Sequence, residues 1–460
     1  MFNLMNIAAT GPIIGPIQGI LFGPIAFILI PIGNIFGGAL HDYFCGMIAM
    51  RNNGIQMPKL VHQFTNKGVY NFYNVFVSLL LLLVGAVFIY IPGDLIATEV
   101  LGWTASPKET STWVIYGVIF LYCLAGTIFP LHRFLGRLYP VLGTVLLLAA
   151  LGLGYGLFFR GYITPLTELS FTNWKGIYPI VTNADGSVTV TNLLPIFFIT
   201  VACGIVSGFH STQNVLISRT VKSEREGRRT YYNMMMVEGM IAMFWAAASM
   251  ALMAKGIVST DFVRLTPTPV IGMVCRDMLG TEVLGKLGTV VSMVAIIGVI
   301  VLPLTTSDTA IRSLRLMIGE FLGIDQKPIK NRLTLSIILF SCVAAILYWA
   351  KTSPGGFTIL WRYFAWSNQT LAVFAFAAIA IYLAARGYTV APYMAILPGA
   401  WYMYITASYI LNAQIGFRLT YNVANGLGIA IAVVYAVLTL MQGTKLRNSK
   451  APIEVAPVYK

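Results

Sequence analysis

His210, Gln213 and Asn214 stand at i, i+3 and i+4, a spacing that puts an imidazole and two carboxamides on one face of a helix. A histidine changes charge near neutral pH, so this face could bind a carboxylate or carry a coupling proton. A neutral ring satisfying a backbone carbonyl is the simpler alternative. His41 and Asp42 are adjacent, about three turns from Arg51, and suit either a structural pair with a neighbouring helix or a proton relay. Glu238 lies about two turns inside a basic loop with no counter-ion nearby in sequence, and in its protonated form it could couple. Thr305, Thr306, Ser307 and Asp308 form a run of oxygen-bearing side chains that suits a hard monovalent cation or a carboxylate-borne proton. Asp308 and Arg312 are also spaced i, i+4, and for Asp308 a helix-end salt bridge is the preferred reading.

These polar residues are set in a very apolar chain. Of 460 residues, 57% are hydrophobic and 10% charged, and the mean hydropathy is +0.78. That composition excludes a soluble globular protein and implies an all-α polytopic membrane protein. β-barrel strands would be half as long and would alternate. Counting apolar runs of about 20 residues gives about twelve spans, at 4–22, 24–51, 71–98, 112–132, 138–159, 193–218, 230–255, 286–311, 331–350, 357–385, 391–412 and 423–443. An ionised side chain at mid-bilayer costs about 2.5–3.5 kcal/mol, so each one within a span requires a partner or a role. Asp94 and Glu99, at the outer end of the third span, read as solvated ends. Asn368 and Gln369 bring amides into the tenth span, where amides bond across helices, and gating or packing fits them best.

The net charge of +14 is explained by orientation rather than by nucleic acid. Alternate loops, starting with the one that holds Arg51, Lys59 and Lys67, carry 20 of the 30 basic residues, including Arg219, Lys222, Arg225, Arg228, Arg229, Arg312, Arg315 and Arg386. The positive-inside rule makes that side cytoplasmic and places both ends of this chain there. Arg312 and Arg315 fall in 312–323, an amphipathic continuation of the eighth span that suits anionic headgroups. On the other side, 256–285 should hold a short helix around Val270–Val274, lying on the membrane surface or capping a cavity. In 160–192, Val188–Thr191 reads as a short strand after a turn at Asp185-Gly186. The five cysteines form no C-x-x-C pair, so neither a disulfide framework nor a metal site is indicated, and no organic cofactor is expected. No signal peptide is visible. The chain begins almost at a membrane helix, so an upstream segment is expected.

Two spans contain helix breakers at mid-depth. Gly11-Pro12-Ile13-Ile14-Gly15-Pro16 should divide the first span into half-helices, because proline removes a donor and clashes one turn back. Cys203-Gly204-Ile205-Val206-Ser207-Gly208 should interrupt the sixth. Unwound backbone in hydrocarbon survives only where protein or a water-filled cavity satisfies it, so the breaks point to a binding site of the kind secondary transporters use. Gly11, Pro12, Gly15, Pro16, Gly204, Ser207, Gly208, His210, Gln213 and Asn214 are its candidate substrate-binding residues. Coupling candidates are Thr305, Thr306, Ser307, Asp308, Glu238, His41 and Asp42, with H+ or Na+ as the ion. Five spans separate the breaks, and an odd repeat length inverts the repeat. The pattern resembles the LeuT-like (APC-type) 5+5 architecture, in which helix 8 and the helix 1 break share a sodium site and alternating access comes from rocking of a bundle containing helices 1 and 6. This divides the chain into a first repeat (1–159), an extracellular connector (160–192), a second repeat (193–385), and peripheral spans with a cytoplasmic tail (386–460).

Five ordered stretches together resemble the carbon starvation protein A (CstA) family of bacterial inner-membrane transporters. They are Asn6–Pro16, Gly38–Tyr43, Ala202–His210, Asp308-Thr309 through Arg312 to Glu320, and Asn368–Ala372. The resemblance implies ion-driven uptake of peptides, or of pyruvate in some members, during nutrient shortage. Peptides are favoured over pyruvate: half-helix N-termini attract a carboxylate, unwound carbonyls hold an ammonium, and a zwitterionic peptide satisfies both. Compared with the family, the sequence shows neither a further N-terminal membrane helix nor a cytoplasmic segment with an Asp-Tyr-Val-Pro-like motif, and it has no counterpart of the extra helix pair with a Pro-Arg-Asp-Tyr-Leu stretch that longer members carry. After His210, a small Ser-Ser-Gly-Thr-like run is replaced by Val215–Arg219.

An intramembrane enzyme or a sensor is the competing class. His41, His62, His132 and His210 are isolated from one another, and no H-E-x-x-H, nucleophile elbow or P-loop occurs. No cytoplasmic loop exceeds about 20 residues, which leaves no room for a sensor's soluble output domain. A passive channel does not need two matched breaks. The expected partners are the substrate and the lipid bilayer; the oligomeric state is not legible.

Overall fold

The computed structural model describes all residues except 1, 9, 129–131, 160, 165–179, 183–187, 191, 260–266, 281–285 and 450–460. Helices dominate. In chain order they are α1 (Phe2–Ile7), α2 (Gly11–Gln18), α3 (Ala26–Gly33), α4 (Ala39–Arg51), α5 (Met57–Phe64), α6 (Lys67–Leu95), α7 (Thr110–Ile128), α8 (His132–Phe159), α9 (Leu193–Thr200), α10 (Phe209–Ser218), α11 (Asn233–Ala254), α12 (Thr268–Leu279), α13 (Lys286–Phe321), α14 (Ile329–Thr352), α15 (Gly356–Ala385), α16 (Tyr393–Asn412) and α17 (Tyr421–Ser449). One antiparallel pair, β1 (Ile180–Thr182) and β2 (Val188–Val190), precedes α9, with Val181 opposite Thr189. The strand expected at 188–191 thus forms over Val188–Val190, whereas Thr191, most of the connector and its Asp185-Gly186 turn lie outside the described residues.

Among the described residues, ten helical segments are long and apolar enough to cross a membrane, from Gly23–Arg51 to Tyr421–Ser449. The other two expected spans are the interrupted ones, whose pieces are individually too short. In the first span α1 ends at Ile7 and α2 starts at Gly11, so the break lies immediately before the Gly-Pro steps. Gly11–Pro16 is helical, with Pro12 in the first turn of α2 and Pro16 within it. Proline is tolerated in a first turn, where its missing N–H has no intrahelical acceptor, so the residues read as the break begin the second half-helix instead. In the sixth span the break falls where expected: α9 ends at Thr200, a 3-10 turn covers Ala202–Gly204, and α10 starts at Phe209.

The chain forms two compact units. The first comprises Met1–Pro31, Leu81–Gly176 and Val237–Trp361. Within it α13 packs on α1, α7, α8 and α14. Helix α12 is not laid on a surface: Val270, Ile271, Val274, Cys275 and Met278 are buried, and the helix packs on α8 and α13. Arg276 ion-pairs with Glu99, and the Tyr162 hydroxyl donates to Asp277. Asp94 is not a solvated end either. It accepts from Lys351 Nζ at 2.6 and 2.9 Å and from the Tyr116 hydroxyl at 2.5 Å. An apolar span tolerates a carboxylate there because the pair brings its own counter-charge, and the ammonium also lies 4.7 Å from the Tyr90 ring centre.

The two arginines of 312–323 do not turn toward lipid. Arg312 donates to the Gly126 carbonyl and to Asp308, and Arg315 to the Thr127 carbonyl and the Gln326 side chain. The last carbonyls of α7 lack intrahelical donors and carry partial negative charge, so they draw the guanidiniums inward.

The second unit comprises Ile32–Leu80, Ile177–Met236 and Arg362–Lys460. Here α4 packs along α10, and α16 pairs with α17. A π-helical turn at Asn34–Gly38 joins α3 to α4 beside the sixth-span break. A Cβ at Gly38 would run into the Ile205 carbonyl and lie 2.7 Å from the Met235 methyl, so only glycine allows this approach.

Candidate functional site

The second unit gathers most of the polar residues picked out by spacing. His41 Nδ1 lies 2.9 Å from one oxygen of Asp42, and His210 Nδ1 lies 3.0 Å from the other. All three side chains are at most 1% exposed. The carboxylate bridges α4 and α10, so the His41-Asp42 dipeptide and the His210 face, 168 residues apart, form one cluster. Phe376 of α15 meets His41 edge to face, with ring centres 5.3 Å apart.

Side-chain amides hold the interrupted backbone beside this cluster. Gln369 Nε2 donates to the Val206 carbonyl at 2.8 Å, and Asn34 Nδ2 donates to the Gly204 and Met235 carbonyls at 3.3 and 3.1 Å. Asn368 Oδ1 accepts from the Phe209 N–H at 2.7 Å, and Asn368 Nδ2 donates to Ser207 and Cys203. Two freed carbonyls and the first free N–H of α10 are therefore satisfied by protein, as backbone unwound at membrane depth requires. Sequence reasoning missed Asn34. Its only signal was a carboxamide in an apolar run just before Gly37-Gly38.

Several buried polar atoms of this unit have no hydrogen-bond partner among the described residues: His41 Nε2, Gln213 Oε1, Gln369 Oε1 and both side-chain atoms of Asn214. Gln213 and Asn214 are at most 1% exposed. Leaving a buried polar group unmade costs about 1–3 kcal/mol, which a ligand with matching groups would recover. Four of the five atoms accept hydrogen bonds and one, Asn214 Nδ2, donates, so the complementary ligand is rich in donors.

The first unit holds the remaining candidates. Thr305 and Thr306 return their hydroxyls to the Leu302 carbonyl, and Thr306 Oγ1 also lies 3.4 Å from the Met5 carbonyl at the end of α1. Ser307 faces Cys123 at 3.4 Å. Asp308 pairs with Arg312 at 3.0 Å, the i, i+4 bridge that the spacing anticipates. Glu238 is fully buried. In α2, Gly11, Pro12, Gly15 and Pro16 are buried. Thr10 Oγ1 and Gln18 Oε1 at its two ends have no hydrogen-bond partner among the described residues, and neither was singled out by sequence. Within the described residues no group of three His, Cys, Asp or Glu side chains is placed to hold a metal ion.

Among the described residues, ten segments long and apolar enough to cross a membrane, two interrupted ones and buried polar clusters at the interruptions define a multi-pass membrane protein. Its fold is that of solved transporters: a manganese transporter of Eremococcus coleocola superimposes with a TM-score of 0.54 at 12% identity, covering 96% of this chain and 95% of that one. The family model described as carbon starvation protein CstA matches residues 2–181, 109–270 and 246–409. The chain belongs to the CstA family of membrane transporters. A Haemophilus influenzae protein named as an uncharacterized membrane protein is 35% identical over 290 residues, 55% of this chain and 76% of that protein. The Helicobacter pylori protein named peptide transporter CstA is 23% identical over 510 residues, 87% of this chain and 72% of that protein.

Proposed function

We propose that the protein is a secondary active importer of short peptides, driven by an ion gradient across the bacterial inner membrane and used when nutrients are scarce, with both ends of the chain in the cytoplasm. The observation that carries this reading is the excess of buried, unpartnered acceptors around the sixth-span break. A peptide brings an ammonium and amide N–H groups to meet them, and its carbonyl suits Asn214 Nδ2. Pyruvate brings acceptors alone and would leave Gln213 Oε1 and Asn214 Oδ1 unmet. His210, Gln213 and Asn214, with Gly204, Ser207 and Gly208 of the break, are assigned to the substrate. The Helicobacter pylori relative named peptide transporter CstA supports the same substrate class.

The two interrupted spans, five apart, support the LeuT-like 5+5 repeat with boundaries at 159, 192 and 385. Thr305 and Thr306, with the Met5 carbonyl 3.4 Å from Thr306 Oγ1, are the candidate sodium ligands, and Glu238 and the His41-Asp42 pair the candidate proton carriers. The test is uptake into proteoliposomes of labelled dipeptide or labelled pyruvate, under an imposed proton or sodium gradient. Uphill accumulation of dipeptide, lost in His210→Ala and Asn214→Ala, is expected. Accumulation of pyruvate alone would overturn the substrate, and equilibration without accumulation would overturn active transport.

A further inference from the structure

Building on the transporter reading above, we infer that His41, Asp42 and His210 form a single-proton site that couples transport to the proton gradient, Asp42 being the fixed charge shared by two rings. Asp42 is fully buried and, among the described residues, bonds to these two rings and to no lysine or arginine. Both contacts are through Nδ1, so each neutral ring carries its hydrogen there and donates it to the carboxylate. The basic nitrogen left on each ring is Nε2.

Charge counting then limits the occupancy. With both rings neutral the cluster carries a buried net charge of minus one; one added proton brings it to zero, and a second makes it plus one. Burying net charge is expensive, so the one-proton form is the state favoured in the dry site. His41 Nε2 is fully buried with no nitrogen or oxygen partner among the described residues, and the Cys45 thiol lies beside the His41 ring. Phe376, with its ring centre 5.3 Å away, is within cation–π range of a protonated His41. Among the described residues, titratable neighbours of the cluster include Cys45, one turn along α4, and Tyr73 of α6, which lies beside Ser211 and Cys45. Neither brings a positive charge that could replace the proton. His210 and Asn214 share a face of α10 that has the sixth-span break at its start, so the proton sits within a turn of the residues assigned to the substrate.

The experiment uses the full chain and two readouts. In detergent, selective nitrogen labelling of histidine gives four imidazoles, assigned through single His→Gln variants, and these are titrated between pH 5 and pH 9. His41 and His210 should take up one proton between them as a coupled pair. In proteoliposomes, an inward proton gradient should drive dipeptide accumulation where a sodium gradient does not. Asp42→Asn should abolish the shared titration and reduce proton-driven accumulation at least tenfold, Asp42→Glu should restore part of both, and His62→Gln should change neither. Two independent protons, or two rings neutral throughout, would overturn the inference, as would undiminished proton-driven uptake in Asp42→Asn. Should the wild type move no dipeptide at all, the transporter reading fails, while the histidine titration still decides the proton site.

Discussion

Asn368 accepts the backbone N–H of Phe209 through its side-chain oxygen at 2.7 Å, across 159 residues of sequence. Phe209 is the first residue of α10, so one carboxamide from α15 caps the helix that begins at the sixth-span break. The same side chain donates to Ser207 at 3.1 Å, fixing the last turn of the break. Asn368→Ala should therefore cost about 1–3 kcal/mol, the penalty for buried polar groups left unmade. Asn368→Asp keeps an acceptor for Phe209 and should lose less. Thermal unfolding in detergent, followed by intrinsic fluorescence, would rank the two.

Gly208 makes the close approach possible. A Cβ there would collide with the Asn368 carbonyl and the Ala372 N–H and lie 2.7 Å from Leu371 Cβ, and backbone cannot rotate out of the way. Gly208→Ala should lower the yield of folded protein and the unfolding temperature by several degrees. Gly117→Ala, where nothing lies within 4 Å, should leave both unchanged or raise the temperature slightly through helix propensity. Equal effects from the two substitutions would refute this packing account.

The Asp94–Lys351 pair predicts a strongly asymmetric mutant series. Lys351→Met leaves a half-buried carboxylate without its cation, a loss of up to about 3 kcal/mol for breaking a largely desolvated pair from one side. The double variant Asp94→Asn, Lys351→Met removes both charges and should recover much of that loss. Size-exclusion profiles after heating separate the outcomes; strict additivity of the single substitutions would argue against direct coupling.

Cys275 is a buried thiol on α12, a helix outside the ten membrane-crossing segments, and burial pushes it up to about 12. The thiolate is the reactive form, so raising the thiol above its ordinary range leaves little of it at pH 7, and reactivity should appear only as the pH approaches 12. Maleimide should fail to label Cys275 in the folded protein and label it after denaturation. Rapid labelling at pH 7 would mean that α12 leaves its packing against α8 and α13.

Asn214 should separate the two substrates. Asn214→Leu removes one donor and one acceptor that no group among the described residues meets, and dipeptide uptake should fall by about 10–100-fold, as about 1–3 kcal/mol for a buried hydrogen-bonding group implies. A similar loss for a carboxylate without N–H donors would contradict the donor-counting argument.

Composition and run length determine, from sequence alone, that the chain is a helical membrane protein. They locate the ten continuous spans and pick out the two interrupted ones, because the cost of exposing polar groups to lipid leaves few alternatives. The Asp308–Arg312 bridge was legible for the same local reason, as i and i+4 must meet on any helix. The five ordered motifs were enough to identify the CstA family. Proline, by contrast, has two meanings that sequence does not separate: it breaks a helix interior and it starts a helix well. Only the folded chain decided that Gly11-Pro12 opens α2 and that the break lies before it. Tertiary structure likewise decided that His41-Asp42 and His210 are one cluster, that Asn34, Asn368 and Gln369 hold the interrupted backbone, that Asp94 is ion-paired and half-buried, and that Arg315 is buried. Each depends on which helices pack side by side, and contacts across more than a hundred residues leave no periodicity in the sequence from which they could be read.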